Sequence, residues 1–248
     1  MKQHVTIHCP VCQAEVKRNI VTKIDARHEP ERKQDLLDGT LFNFECDECG
    51  AKRQIDHDFM YLDRDLKVVI CLIPQLEDRK AEMEEILTQF MRQSTEDLSK
   101  YSLRVVRTAP TLVEKATIFN DGLNDIVVEI VKLLTDGLFA KEHPDIDVRA
   151  RYYYKHHGQS KLLYLTKNDQ LLVDFHQSLV DFAQDKYNKA VNEDYKGRFI
   201  VVDENWAANL LENKPGDAVN EFENQQSVQE PSLEDQRRIQ KALKKKKK

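Results

Sequence analysis

The sequence predicts an α+β fold on three observations. Two Cys-x-x-Cys turns, Cys9-Pro10-Val11-Cys12 and Cys46-Asp47-Glu48-Cys49, sit among short β-prone runs near the N-terminus. Helical stretches with apolar residues three and four apart come next. A second set of short strands and helices then precedes a polar, charged tail. Turns of this kind on adjacent hairpins make a zinc ribbon. The expected architecture is an N-terminal zinc-ribbon-like antiparallel sheet with packed helices, a small C-terminal α+β unit and a disordered tail. Its expected bounds are 1–139 (sheet 1–76, helices 77–138), 144–212, and 213–248 for the acidic linker and lysine-rich tail.

Val5-Thr6-Ile7 enters the first turn, and Glu15 to Ala26 leaves it as a β-rich stretch. Glu31 to Leu37 reads as a short helix, with Pro30 in its first turn and Gly39 as the left-handed residue past its end. Leu41, Phe42 and Phe44 form a strand into the second turn. Gln54 to Leu62 and Leu66 to Ile73 form a hairpin around Asp63-Arg64-Asp65. Glu77 to Gln93 is an amphipathic helix with the stripe Met83, Ile86, Leu87, Phe90 and Met91. Leu103 to Val106 is a strand, and Pro110 starts a helix that Asp121-Gly122 breaks. A third helix carries Leu123, Ile126, Val127, Ile130, Val131 and Leu134 and stops near Gly137.

Beyond Pro144, three strands are expected at 147–156, 161–166 and 170–175, with turns at Gly158 and Asn168-Asp169. Gln177 to Val191 is a helix, Phe199 to Val202 a strand, and Glu204 to Leu211 a helix with the sole tryptophan, Trp206. Glu221 to Glu230 is too polar to offset the entropy of ordering. Ser232 to Asp235 has a capping-box pattern that allows a marginal helix before the lysine run.

The chain has 248 residues, 40% of them hydrophobic and 33% charged. No run is long enough to span a bilayer, and Met1 to Thr6 lacks the apolar segment of a signal peptide. The net charge is −5 although Lys241 and Lys244 to Lys248 add six positive charges at the end. The body is therefore acidic, which argues against a nucleic-acid surface spread over the whole chain. Five cysteines is an odd number and the four in the dyads have metal spacing, which favours a reducing cytoplasm over a disulfide scaffold.

Cys9, Cys12, Cys46 and Cys49 are the candidate metal ligands. Each turn aims two sulfurs at one point, and a closed four-sulfur shell implies a structural ion, most simply Zn2+. The same four thiolates suit iron, so metal identity stays open between the two. Two redox Cys-x-x-Cys pairs would need a βαβ context that is missing around these turns. Disulfides are disfavoured on compartment grounds. Gly50 eases the second turn, whereas Gln13 at the matching position of the first must accept strain or find another geometry. Cys71, in an apolar strand, reads as a small buried hydrophobe. His8 reads as a surface strand residue rather than a ligand.

The chain resembles the CpXC family, a bacterial group regarded as zinc-binding and named for a Cys-Pro-x-Cys motif. Cys9-Pro10-Val11-Cys12 is that motif. Leu36-Leu37-Asp38-Gly39, Cys46 to Gly50, Tyr61-Leu62-Asp63 and Pro74 are similar to its continuation. Glu114-Lys115, Gly122 to Asp125 and Glu129 are similar to the helical part of its longer members. Asp47 stands where the second motif often has proline, and Gln13 where the first often has glycine; neither is a ligand. The resemblance implies a metal site and a cytoplasmic setting, and the family has no assigned biochemical activity to carry over.

Function is less legible. There is no phosphate-cradling glycine loop, no Gly-x-Ser-x-Gly elbow and no His-Glu-x-x-His, and only seven glycines occur. The leading expectation is a non-enzymatic binding or scaffold protein acting on another protein. The alternative is a single-stranded nucleic-acid binder that uses the strand 149–157, where alternation places Arg149, Arg151, Tyr153 and Lys155 on one face. Glu142-His143, His156-His157, Asp174 and His176 could serve acid–base catalysis, but spacing brings no pair of them together.

Overall fold

The computed structural model describes residues 2–192 and 195–212. The tail expected at 213–248, with its capping-box segment, lies outside them. The fold is α+β. Compactness divides it into Met1–Ala116 with Lys196–Ile200, and Thr117–Tyr195 with the chain from Val201 onward. The break falls inside a helix, α3 (Ala109–Asn120), upstream of the Pro144 boundary expected from sequence.

The first unit opens with the hairpin β1 (Lys2–His8) and β2 (Glu15–Val21), paired antiparallel from Lys2↔Val21 to His8↔Glu15. The Cys9 turn joins these strands. β3 (Lys23–Asp25) and α1 (Pro30–Leu37) follow. Pro30 occupies the first turn of α1, and Gly39 takes φ +70° just past its end. β4 (Asn43–Glu45) and β5 (Lys52–Gln54) form a second small hairpin around the Cys46 turn. The strand expected from Leu41 starts later because Leu41 is held in a turn, its N–H donating to Asp35 O at 3.2 Å.

β6 (Phe59–Asp63), β7 (Val68–Leu72), α2 (Lys80–Gln93) and β8 (Ser102–Val106) build the core. Together with β3 and β12 (Phe199–Ile200) they form a five-stranded sheet in the order β12-β8-β7-β6-β3. β6 and β7 pair antiparallel, whereas β3 with β6, β7 with β8, and β12 with β8 pair parallel. A parallel neighbour needs a long crossover, which α2 supplies between β7 and β8. All five residues of β7 are buried, as expected for a central strand covered on both faces. Only part of the expected α2 stripe is buried. Met83 and Leu87 face the core, while Ile86 and Met91 are 45% and 38% exposed.

One carboxylate organises the β6–β7 turn. Asp63 is 2% exposed, and its Oδ2 accepts from Tyr61 OH and Lys33 Nζ, both at 2.9 Å. Its Oδ1 accepts the N–H groups of Asp65 and Leu66 at 3.1 Å. Desolvation pushes its pKa up, but Lys33, the Leu66 amide and Tyr61 outweigh it, and the carboxyl sits below its ordinary value.

The second unit holds α4 (Asp125–Glu142), the meander β9 (Val148–His156), β10 (Gln159–Thr166) and β11 (Gln170–Asp174), and the helices α5 (Gln177–Lys186), α6 (Asn188–Asn192) and α7 (Glu204–Leu211). Asn124 caps α4 by accepting the Ile126 N–H at 2.9 Å. α4 runs through Gly137 instead of stopping there. Glycine inside a helix costs only about 1 kcal/mol, and Phe139, beyond it, packs edge-on against Tyr164 at 4.9 Å. His157 and Gly158 both have positive φ and form the two-residue β9–β10 turn. The helix expected at 177–191 is interrupted at Tyr187, which leaves the helical region at φ −110°, ψ 25°. The strand expected at 199–202 pairs with β8 and so belongs to the first unit.

Replacing Asp63 by alanine strands Tyr61 OH, Lys33 and two amides, and should destabilise the fold by about 3 kcal/mol near neutral pH. Because the folded-state pKa is depressed, this contribution is present above the unfolded carboxylate range and is lost as pH falls through the folded value. Urea midpoints of the parent and Asp63→Ala should therefore differ at neutral pH and converge in acid.

Candidate metal centre

The two cysteine turns have the same backbone. In the first, Cys9 N–H donates to Ala14 O at 3.0 Å and Gln13 N–H to Cys9 O at 2.9 Å. In the second, Cys46 N–H donates to Ala51 O at 3.0 Å and Gly50 N–H to Cys46 O at 2.9 Å. Each turn closes with a left-handed residue, Gln13 at φ +62° and Gly50 at φ +66°. The first turn thus adopts with glutamine the conformation that the second reaches with glycine.

These turns bring four sulfurs together, all within 4.8 Å of one another. Cys9 Sγ lies 3.7 Å from Cys49 Sγ, and Cys12 Sγ lies 3.7 Å from Cys46 Sγ. A tetrahedron with metal–sulfur bonds of about 2.3 Å has edges of about 3.8 Å, so the donor set fits a four-coordinate ion. Cys9 and Cys46 are 0% and 1% exposed, whereas Cys12 and Cys49 face outward. Among the described residues this is the single group of three or more His, Cys, Asp or Glu side chains close enough to hold a metal.

The electrostatics point the same way. Amides of Cys12 and Val11 pull the Cys9 thiol down to about 6, the Val11 N–H lying 3.4 Å from Cys9 Sγ. For Cys12 and Cys49 the Ala14 and Ala51 amides also pull down, but desolvation and the neighbouring thiols prevail. Cys12 is held above its ordinary value and Cys49 is pushed up to about 12. Four thiolates this close ionise together only when a cation sits among them.

A contact that the sequence did not reveal ties the turns together. Arg18 of β2 donates to Glu45 O at 3.1 Å and pairs with the Asp47 carboxylate inside the second turn. Its guanidinium also lies 6.0 Å from the centre of the Phe44 ring. Beneath the sulfurs the apolar core is small: Cys9, Val16, Phe44 and Cys46, with Ile7, Ala51 and Ile55 at its edge.

Other candidates lie elsewhere. His8 is exposed, its Nε2 3.9 Å from Glu15 Oε1. Cys71 is buried in β7, where desolvation pushes its thiol up to about 12. Of the proposed nucleic-acid residues, Arg149 is exposed, but the other three are engaged by acids. Arg151 pairs with Asp136 and with Glu204 at 3.1 Å. Tyr153 is 2% exposed and donates to Asp121 at 2.6 Å, and Lys155 lies 3.0 Å from the same carboxylate. A buried ring offers no face for base stacking.

The sequence model of a family described as CpXC protein matches residues 7–132, just over half of the chain. No curated protein and no solved structure matches it. No described helix is long and apolar enough to cross a membrane.

The left-handed Gln13 makes a stability prediction. A non-glycine residue in that region costs roughly 1–2 kcal/mol, so Gln13→Gly should raise the urea midpoint of the metal-loaded chain by the equivalent of about 1 kcal/mol. Gly50→Ala should lower it by a similar amount.

Proposed function

The chain belongs to the CpXC family, and on that premise we propose that it is a zinc protein whose Cys9, Cys12, Cys46 and Cys49 hold one structural ion. Its work is non-enzymatic: it binds or scaffolds another protein. The observation that carries the metal reading is the convergence of four sulfurs from two separate hairpins at tetrahedral spacing. Four protein ligands fill a tetrahedral shell and leave no position for a reacting water, which favours a structural role. The small core beneath the sulfurs supports the same view, since a lobe with so little apolar burial needs a staple. Five free thiols fit a reducing cytoplasm as the setting. The inward-turned Tyr153 and the acid-paired Arg151 and Lys155 weigh against the nucleic-acid reading.

Elemental analysis of the purified chain should find about one zinc per molecule. Removing it with a chelator should abolish hydrogen-exchange protection in β1, β2, β4 and β5, while β7, which has its own core, stays protected. Cys46→Ser should reproduce the chelated pattern. Stoichiometric iron would overturn the zinc assignment, and unchanged protection after chelation would overturn the structural role.

A further inference from the structure

The four sulfurs are unequal in exposure, and the inequality is paired. Cys9 and Cys46 are buried, whereas Cys12 and Cys49 are exposed. The chain around the outward sulfurs, Pro10 to Gln13 and Asp47 to Gly50, is exposed as well. The short contacts run between the turns: Cys9 Sγ to Cys49 Sγ and Cys12 Sγ to Cys46 Sγ, both 3.7 Å. Each contact therefore couples one outward sulfur to one inward sulfur, and each joins the first turn to the second.

That arrangement has a chemical consequence beyond holding a metal. A cysteine that senses oxidants is an accessible thiolate with a second, resolving sulfur close by. Ligation keeps the sulfurs deprotonated, the outward pair is open to a small oxidant, and each outward sulfur has an inward one at 3.7 Å. Cys71 lacks these features: it is buried in β7 and lies outside the four-sulfur group.

We propose that the centre is also a peroxide-sensitive clasp, in which oxidation turns the four thiolates into the cross-turn disulfides Cys9–Cys49 and Cys12–Cys46, ending metal binding while the two turns stay joined. The outward sulfur, of Cys49 or Cys12, attacks one peroxide oxygen. The O–O bond breaks, the sulfur keeps that oxygen as a sulfenic acid, and the other oxygen leaves as hydroxide. The inward partner then attacks the sulfenic sulfur, so that an S–S bond forms, the S–O bond breaks and a second hydroxide leaves. Each cysteine pair loses two electrons, and with two protons from solvent one peroxide becomes two waters. One such disulfide leaves two thiolates, too few for a closed tetrahedral shell. Small thiols reverse the reaction by exchange, as suits a transient disulfide in a reducing compartment. The inference rests on the reading of the four cysteines as a structural metal site and adds the regulation of that site.

The test uses the full chain, with zinc content measured first. A chain without zinc counts against the metal reading alone, because the disulfide map is read in either case. The chain is exposed to hydrogen peroxide under conditions that convert glutathione to its disulfide, then denatured, alkylated and digested with trypsin. The expected result is loss of the bound zinc to a colorimetric indicator, and one joined fragment linking the peptide of Cys9 and Cys12 to the peptide of Cys46 and Cys49. Its mass-spectrometric fragmentation should pair Cys9 with Cys49 and Cys12 with Cys46, and Cys71 should be recovered alkylated. Dithiothreitol followed by zinc should restore the metal content. Two separate peptides, each closed by its own Cys-x-x-Cys disulfide, or the pairing of Cys9 with Cys46 and Cys12 with Cys49, would overturn the proposal. So would four unoxidised cysteines, or sulfinic and sulfonic acids in place of disulfides.

Discussion

Mutual repulsion among four sulfurs is the constraint on which the N-terminal lobe depends. Thiolates with edges of 3.7 Å cannot share a site as anions, and the core that Cys9 and Cys46 join is small. A divalent cation held among them would convert the repulsion into attraction. Everything nearby serves that convergence. The two turns repeat one hydrogen-bond pattern, so each presents its sulfurs and amides in the same way. Arg18 adds a cation on the outside, fixed by Asp47 and Glu45, where it offsets the negative charge of a four-thiolate centre and joins the hairpin of one cysteine pair to the turn of the other.

The five-stranded sheet has a different source of order. Its central strand is buried throughout, and its polar groups are satisfied locally. Asp63 has four partners at the β6–β7 turn. Asp25 accepts from Arg64 Nε at 3.0 Å, Arg64 also pairs with Glu96, and Glu96 accepts from Tyr101 OH at 2.9 Å. This chain of alternating charge joins β3, the turn after β6 and the segment before β8. Partnered charge at a sheet end fixes strand order more than it adds stability. The sheet therefore has its own core and polar framework, built from residues other than the four cysteines.

Local signals were legible in the sequence and long-range ones were not. The cysteine turns, Pro30 with Gly39, and the 157–158 turn could be read because each is decided within a few residues. All four candidate ligands belong to this class. The true length of α4 was hidden because a single glycine costs a helix only about 1 kcal/mol, and the contact of Phe139 with Tyr164 beyond it has no local mark in the sequence. The placement of β12 depends on a parallel pairing of Phe199 with Leu103, nearly a hundred residues away, for which sequence carries no local mark. The pairing of Arg18 with Asp47 was hidden for the same reason, since it follows from how two hairpins lie beside one another.

The strand 149–157 shows what alternation alone leaves out, namely the groups that meet a basic and aromatic face. Alternation places Arg151, Tyr153 and Lys155 on one side, where Asp136 of α4 and Asp121 in the turn after α3 meet them, although Lys155, like Arg149, stays exposed. Asp136 receives Tyr164 OH at 2.6 Å and the Arg151 guanidinium, and burial still pushes its carboxyl up to about 6. Asp121 receives Tyr153 and Lys155. Every basic group on the inward face thus has an acid that needs it as much as it needs the acid. A phosphate would have to displace a carboxylate already in place and desolvated, and the gain of one ionic contact would be set against the loss of another. Basic and aromatic residues in alternation mark a nucleic-acid platform only when the opposing element brings no carboxylates, and here α4 and the Asp121 turn bring two.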